Sequence, residues 1–303
     1  MILFLFLFFL YFYNFIYFEY FFLFEKKKKM KIFNLILLIL LISIENKNIF
    51  PKFKYGKCLL KQKDLLENSL KNDLFNYHDL PMFHTPSCSL DESPQEKGKK
   101  VTFASVGVLK DKNGKVLLTR RRDNLSQFPH TWVFPGGKLN KYETFITGLL
   151  REIYEETGIK IKYFNKEFTY NGFTIKVKPI FLYESVFPTK SKTPSHQNFI
   201  IFYSIHFPIY YKDIEIDIHN DEIDAYVWGD VNDLYKIIYM NYNGKIKGYM
   251  YNSDSKKFAS CKFDYNNFRP NFVNVKKEIV DSSDKSEYIT HGHRTAIKLL
   301  ANS

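Results

Sequence analysis

Residues 136–159 concentrate the side chains best able to do chemistry. Gly136-Gly137 is followed by five residues and then Glu143; seven more lead to Arg151-Glu152-Ile153-Tyr154-Glu155-Glu156-Thr157-Gly158-Ile159. The spacing predicts a helix over 143–157 that Gly158 stops in a left-handed conformation. On such a helix Glu152 and Glu156 lie one above the other, and Glu155 sits about 60° to the side of Glu152. Three carboxylates within an arc of roughly 100° repel one another, and a solvated face gains nothing from that. A hard divalent cation does gain, because Mg²⁺ or Mn²⁺ takes carboxylate oxygens and keeps waters for substrate phosphates. Phe145, Leu149, Leu150 and Ile153 supply the opposite, core-facing side. Gly136-Gly137 lets the backbone turn sharply ahead of the acidic helix.

These residues resemble the complete Nudix box, Gly-x5-Glu-x7-Arg-Glu-U-x-Glu-Glu-x-Gly-U with U a bulky aliphatic residue, and every fixed position is filled. The resemblance implies an α+β fold, a Nudix-type α/β/α sandwich with a mixed β-sheet and a loop–helix–loop box. It implies metal-dependent hydrolysis of a pyrophosphate bond in a nucleoside diphosphate linked to another moiety. Glu152, Glu155 and Glu156 would hold Mg²⁺ or Mn²⁺, and Glu143 would pair with Arg151 to orient them. An activated water would attack phosphorus, with a glutamate as general base: either Glu152 or one from a later loop. Glu222, in Asn220-Asp221-Glu222, is the later candidate, beside its plain reading as a turn carboxylate.

Outside the box, Leu117–Arg122, Thr131–Gly137, Tyr183–Pro188 and the aromatic run 199–207 resemble one Nudix subgroup, nucleoside-diphosphate-linked moiety X motif seventeen. A weaker echo lies at His293–Leu300. That subgroup is generally assigned to the 5′ cap of mRNA, releasing 7-methylguanosine diphosphate, so capped RNA is the expected partner. Gly136 and Gly137 would line the substrate, Arg120, Arg121 or Arg122 would contact phosphates, and Trp132 or Phe128 would stack on a base. Against this, a tryptophan such as Trp132 is usually core, and at least one of three successive arginines faces solvent. A coenzyme A diphosphatase is the rival. Its Leu-Leu-Thr-x-Arg start and Phe-Pro-Gly-Gly end are kept at Leu117–Arg121 and Phe134–Gly137, but Arg122, Ser126 and His130 depart from the pattern between them. ADP-ribose and dinucleoside polyphosphates stay open. From another class, the chain could be a membrane-tethered nucleotide-binding protein without activity.

The elements that must position these residues begin near Val101. Strands are predicted at 101–109, 115–120, 132–134, 173–187, 199–207 and 225–228, with a turn at Asp111–Gly114 and Pro179 breaking a strand or marking an edge. Helices follow at 231–238 and 294–300, and no further strand is predicted after Met250. This order also points to an α+β or α/β/α arrangement.

The chain has 303 residues, a formal charge of +12 spread along its length, and cysteines only at 58, 88 and 261. Those cysteines exclude a disulfide framework and paired zinc spacing. A hydrophobic content of 45% excludes a wholly disordered chain. The basic balance favours polyanionic partners such as nucleotides, RNA or anionic lipid. Residues 1–45 form an apolar leader, and ten of the 31 Phe fall within its first 24 residues. Three readings of it are open: a membrane anchor at 2–24 with the catalytic domain on the cytoplasmic side, a signal sequence beginning at Met30, and low-complexity sequence outside the folded unit. Residues 46–100 read as a polar linker with one short helix around 65–74, and 101–303 as the catalytic domain with a C-terminal extension. The oligomeric state is not legible.

Overall fold

The structure, a computed structural model, describes residues 74–75, 77, 80–84, 100–125, 128–187, 196–218, 221–240, 242–264, 268 and 288–302. The apolar leader and nearly all of the 46–100 linker lie outside these residues. No helix among the described residues is long and apolar enough to cross a membrane.

The frame is a hairpin. Strand β2 (Lys100–Lys110) turns through Asp111–Gly114 into β3 (Lys115–Arg121). Asp111 is fully buried at the turn, where its Oδ1 accepts from the Asn113 and Lys115 N–H groups at 2.9 and 2.8 Å. Gly114 takes a φ of 81°, which a larger residue would resist. Around the hairpin run β8 (Phe173–Phe187), β9 (His196–His206) and β10 (Ile223–Asp230). Shorter strands are β1 (Met82–His84), β4 (Thr131–Val133), β5 (Gly136–Lys138), β6 (Lys162–Phe164), β7 (Glu167–Tyr170) and β13 (Tyr288–Ile289). A second hairpin joins β11 (Lys245–Asn252) to β12 (Lys257–Asp264).

The main path through the sheet is β12-β11-β10-β3-β2-β9-β8-β7-β6. Neighbours on it are antiparallel except β2 and β9, which run parallel over Lys100–Lys110, so the sheet is mixed. Pro179 lies at a register shift between β8 and β9, the break its missing N–H predicts.

Alternation along the strands sends side chains to two cores. On one face, helix α1 (Phe145–Thr157) packs Phe145, Leu149 and Ile153 against Leu109, Leu117 and Ile205. On the other, α2 (Val231–Met240) and α3 (His291–Ala301) cover Val108, Leu118 and Val227. The expected α/β/α sandwich is therefore present. Helix α1 is shorter than predicted. It starts after the N-cap Thr144, which forms a capping box with Thr147, and Glu143 stands just outside it. At its other end Gly158 takes the predicted left-handed conformation, φ 73°.

In the Tyr183-Glu184-Ser185 motif, one residue ties the sheet to a helix and the next ties β8 to β9. The Tyr183 hydroxyl meets His291 Nδ1 at 3.0 Å, at the start of α3. Glu184 is 1% exposed and accepts from Gln197 Nε2 at 2.5 Å; burial pushes its carboxyl up to about 7 despite that bond. A carboxyl raised above its unfolded value stabilises the fold fully only below about pH 4.5, and that contribution is lost as pH rises through 7. Relative to Glu184→Gln, wild type is expected to lose stability between pH 4.5 and 7.5 in urea titrations. A difference that stays flat or grows in the wild type's favour contradicts a buried neutral Glu184.

Candidate active site

Helix α1 carries the three glutamates, but their exposure is graded. Glu155 has a side chain 52% exposed, Glu152 14%, and Glu156 is 2% exposed overall. Glu156 Oε2 accepts from the Gly136 N–H at 3.0 Å. Burial pushes the Glu156 carboxyl up to about 8; the Gly136 bond and Arg121 oppose this, and the Glu152 and Glu222 charges add to it. Burial likewise raises Glu152, with Arg151 opposing and Glu155 and Glu222 adding.

Arg151 organises the cluster. Its Nε and Nη2 donate to the two Glu143 oxygens at 2.7 and 2.9 Å, the bidentate fork that a planar guanidinium favours. Nη1 donates to Glu152 Oε1 and Glu155 Oε2, both at 2.8 Å, and Nη2 also reaches the Lys138 carbonyl at 2.9 Å. Its bond to Glu143 is the chief reason Arg151 is held more firmly charged than usual, and the same bond lowers the Glu143 carboxyl. The Asn140 N–H, donating to Glu143 Oε2 at 2.7 Å, ties the preceding loop into the network.

The two glycines are there for space. A Cβ on Gly137 would stand 2.5 Å from the Glu152 carboxylate, and one on Gly136, whose φ is 150°, would collide with the Ser105 carbonyl. Behind them the Pro135 carbonyl accepts from the Gly107 N–H at 2.8 Å, and Ser105 Oγ donates to the Phe145 carbonyl at 2.7 Å. The loop is thereby pinned to β2 and to the first residue of α1.

Of the other predicted residues, Glu222 and Arg121 act on the cluster through their charge. Glu222 is exposed on the loop entering β10, and its charge acts on Glu152 and Glu156. Arg121 acts on Glu156 and on His293. Arg120 and Trp132 are corrected by the structure. Arg120 pairs across β3 and β4 with Trp132, which is fully buried, and both project to the face away from α1. Arg120 donates from Nε and Nη2 to Asp224 at 2.7 and 3.0 Å and lies over the Trp132 and Phe263 rings. These are packing duties that leave no base-stacking surface on Trp132. Phe128 is 39% exposed, and its carbonyl accepts from Thr131 Oγ1.

His293 is an addition. Its Nδ1 accepts from the Phe134 N–H at 3.0 Å, so α3 holds the strand that feeds the glycine loop. Burial, reinforced by Arg121, drives its pKa far down and keeps the ring neutral, as an acceptor must be. The only hint of it in the sequence is the echo at 293–300.

The donor set suits a hard divalent cation, since it is carboxylate oxygens whose burial and mutual repulsion a cation would relieve. Among the described residues no three such side chains already stand close enough to hold one, and Glu152 and Glu155 each give one oxygen to Arg151.

A family model described as NUDIX domain matches residues 100–247. The chain carries a Nudix domain over these residues. Similar proteins include one from Bos taurus, "m7GpppN-mRNA hydrolase NUDT17", 27% identical over 163 residues, 49% of this chain and 51% of that protein. A Danio rerio protein of the same name is 30% identical over 161 residues, 52% of this chain and 50% of that protein. The Homo sapiens one is 32% identical over 120 residues, 37% and 34% respectively. The chain thus spans about half the length, or less, of these curated relatives. A solved MutT protein from Methanosarcina mazei Go1 is 21% identical, covering 45% of this chain and 81% of that one, with a TM-score of 0.30.

For this Nudix site, Gly137→Ala is the sharp test of geometry. The added methyl must displace the Glu152 carboxylate, so turnover of any accepted substrate is expected to fall at least about 100-fold, in line with a misplaced catalytic group. The melting temperature should move by only a few degrees, since the obstacle is the end of a side chain. Full activity in that variant would remove Glu152 from the site.

Proposed function

We propose that the chain hydrolyses a phosphoanhydride of a nucleoside diphosphate derivative, and that the derivative is the 5′ cap of mRNA, yielding 7-methylguanosine diphosphate. The observation carrying the hydrolytic reading is the concentration of Glu152, Glu155 and Glu156 on one helix, braced by Arg151 and Glu143. The capped substrate is supported by the likeness to proteins named m7GpppN-mRNA hydrolase.

Glu152, Glu155 and Glu156 would hold the ion, Mg²⁺ or Mn²⁺, with Glu222 close enough to add charge. The bound ion supplies neutralisation of the phosphoanhydride and acidification of a water. The remaining work falls to the chain itself. Arg151 holds Glu152 Oε1 in place, and either Glu152 or Glu222 would take the proton of the attacking water. The upward shift of Glu152 suits a base, because a catalytic carboxyl works best when its pKa lies nearer the working pH. Arg121 brings a fixed positive charge to the same place and balances phosphate charge there.

The decisive experiment is a panel of capped RNA, cap dinucleotide, coenzyme A, ADP-ribose and dinucleoside polyphosphates, each with Mg²⁺ or Mn²⁺. Release of 7-methylguanosine diphosphate from capped RNA, abolished by chelation, is expected. Glu155→Gln and Glu156→Gln should each lower kcat by about 100-fold or more while the fold persists. Faster cleavage of coenzyme A than of capped RNA would replace the cap by the rival substrate. Nucleotide binding without any phosphate product would overturn hydrolysis altogether.

A further inference from the structure

The β11–β12 hairpin lengthens the sheet beyond β10, and its packing partners are chiefly β10 and its own two strands. Its register puts Tyr249 opposite Tyr226 and Tyr251 opposite Phe258. All four rings lie on the face that α1 occupies, because Tyr226 packs against the α1 core while Ala225 and Val227 face the other one. Tyr226 and Tyr249 stack at 4.8 Å and 15°, and Phe258 joins Tyr226 and Tyr251 at 5.6 and 5.5 Å. None of the four is fully buried.

Cross-strand ring contacts alone would explain a stable hairpin. They do not explain the charges beside them. Lys247 and Lys262 are exposed, lie on the same face and stand directly opposite each other, a like-charge pairing that costs the fold stability. Arg122 lays its guanidinium over Tyr251 at 5.0 Å. Its Nη1 pairs at 3.0 Å with the highly exposed Asp221, while its buried Nε has no acceptor among the described residues. Its backbone N–H donates to the Glu222 carbonyl at 2.7 Å, and the Glu222 charge acts on Glu152 and Glu156. Arg122 thus lies between the aromatic strip, which it overlies at Tyr251, and Glu222, whose charge acts on the acidic helix.

Stacked rings flanked by cations suit one ligand chemistry: successive bases on π-faces, with a phosphate backbone alongside. We propose that this hairpin is a docking platform for single-stranded polynucleotide, with bases on Tyr249, Tyr251 and Phe258 and phosphates on Lys247, Lys262 and Arg122. Together with the capped-RNA reading, on which this use of it rests, the platform takes the transcript body while its capped end lies at the box. A duplex would keep its bases hidden from the rings.

The test uses the full chain and a labelled, uncapped, single-stranded RNA of about 10 nucleotides, read by fluorescence polarisation across a salt series. Lys247→Glu with Lys262→Glu is expected to weaken binding at least about tenfold and to flatten the dependence of log Kd on log salt by about 0.7 for each phosphate that the variant no longer neutralises. Tyr249→Leu, which keeps apolar bulk and removes the π-face, should weaken binding several-fold without changing that slope. Hydrolysis of the cap dinucleotide, which has no RNA body, should be unchanged in all three substitutions. Wild-type affinity in these variants, or equal affinity for a duplex of the same length, overturns the platform even where the cap dinucleotide is cleaved. Hairpin-dependent RNA binding with no cleavage of any capped compound retains the platform and overturns the active-site reading.

Discussion

One guanidinium sets the geometry of the acidic helix. Arg151 donates to Glu143, Glu152, Glu155 and the Lys138 carbonyl, all within 2.7–2.9 Å. Without it, Glu152 and Glu155 would repel each other and Glu156 across one helix face. With it, both carboxylates share one cation that offsets part of this repulsion, and the loop before the helix is locked to the helix itself. A lysine could not do this, because a single ammonium lacks the planar fork that grips Glu143 with two donors and still reaches other acceptors. The place where an ion and a phosphoanhydride would sit is set by where that fork holds the carboxylates.

The sandwich exists to hold this arrangement steady. Gly107 on β2 lets α1 approach closely, since a Cβ there would stand 2.9 Å from Ile153 Cδ1. Ser105, two residues earlier on the same strand, ties down the first carbonyl of α1. From the opposite face, His293 of α3 fixes Phe134, three residues before Gly137. The glycine loop is therefore held from both layers of helix, which is what a site needs when a displacement of an ångström is costly.

What is legible in the sequence follows the strength of the chemical constraint. The box can be read whole because its function fixes residue type and spacing together, and the main strands because β-branched and aromatic runs mark them. The acidic pattern draws Glu143 into the helix, because a capping box built from Thr144 and Thr147 is a weaker signal than the glutamates beyond it. Arg120 and Trp132 look like substrate contacts because a run of arginines says nothing about facing. The answer lies in alternation: Leu117 packs under α1 and Leu118 on the other side, so Arg121 and Arg120 must part in the same way. The β11–β12 hairpin escapes notice because its strands mix Lys, Gly, Ser and Asn with aromatics. That composition resembles a loop until the two strands are laid side by side.

That same hairpin shows how a local departure from fold-building rules can point to recognition. An exposed lysine opposite a lysine, beside half-buried rings, is a poor choice for stability alone, and natural sheets more often place opposite charges across a pair. A platform on the α1 face has a further consequence. Phosphates drawn to Lys247, Lys262 and Arg122 would give a polynucleotide a row of cations beside the site, with Arg122 at the end of the row nearer to Arg121. An anionic substrate must approach an anionic cluster, and its path can be eased only by fixed positive charge along the way. On the proposed platform, Lys247, Lys262 and Arg122 would supply that charge.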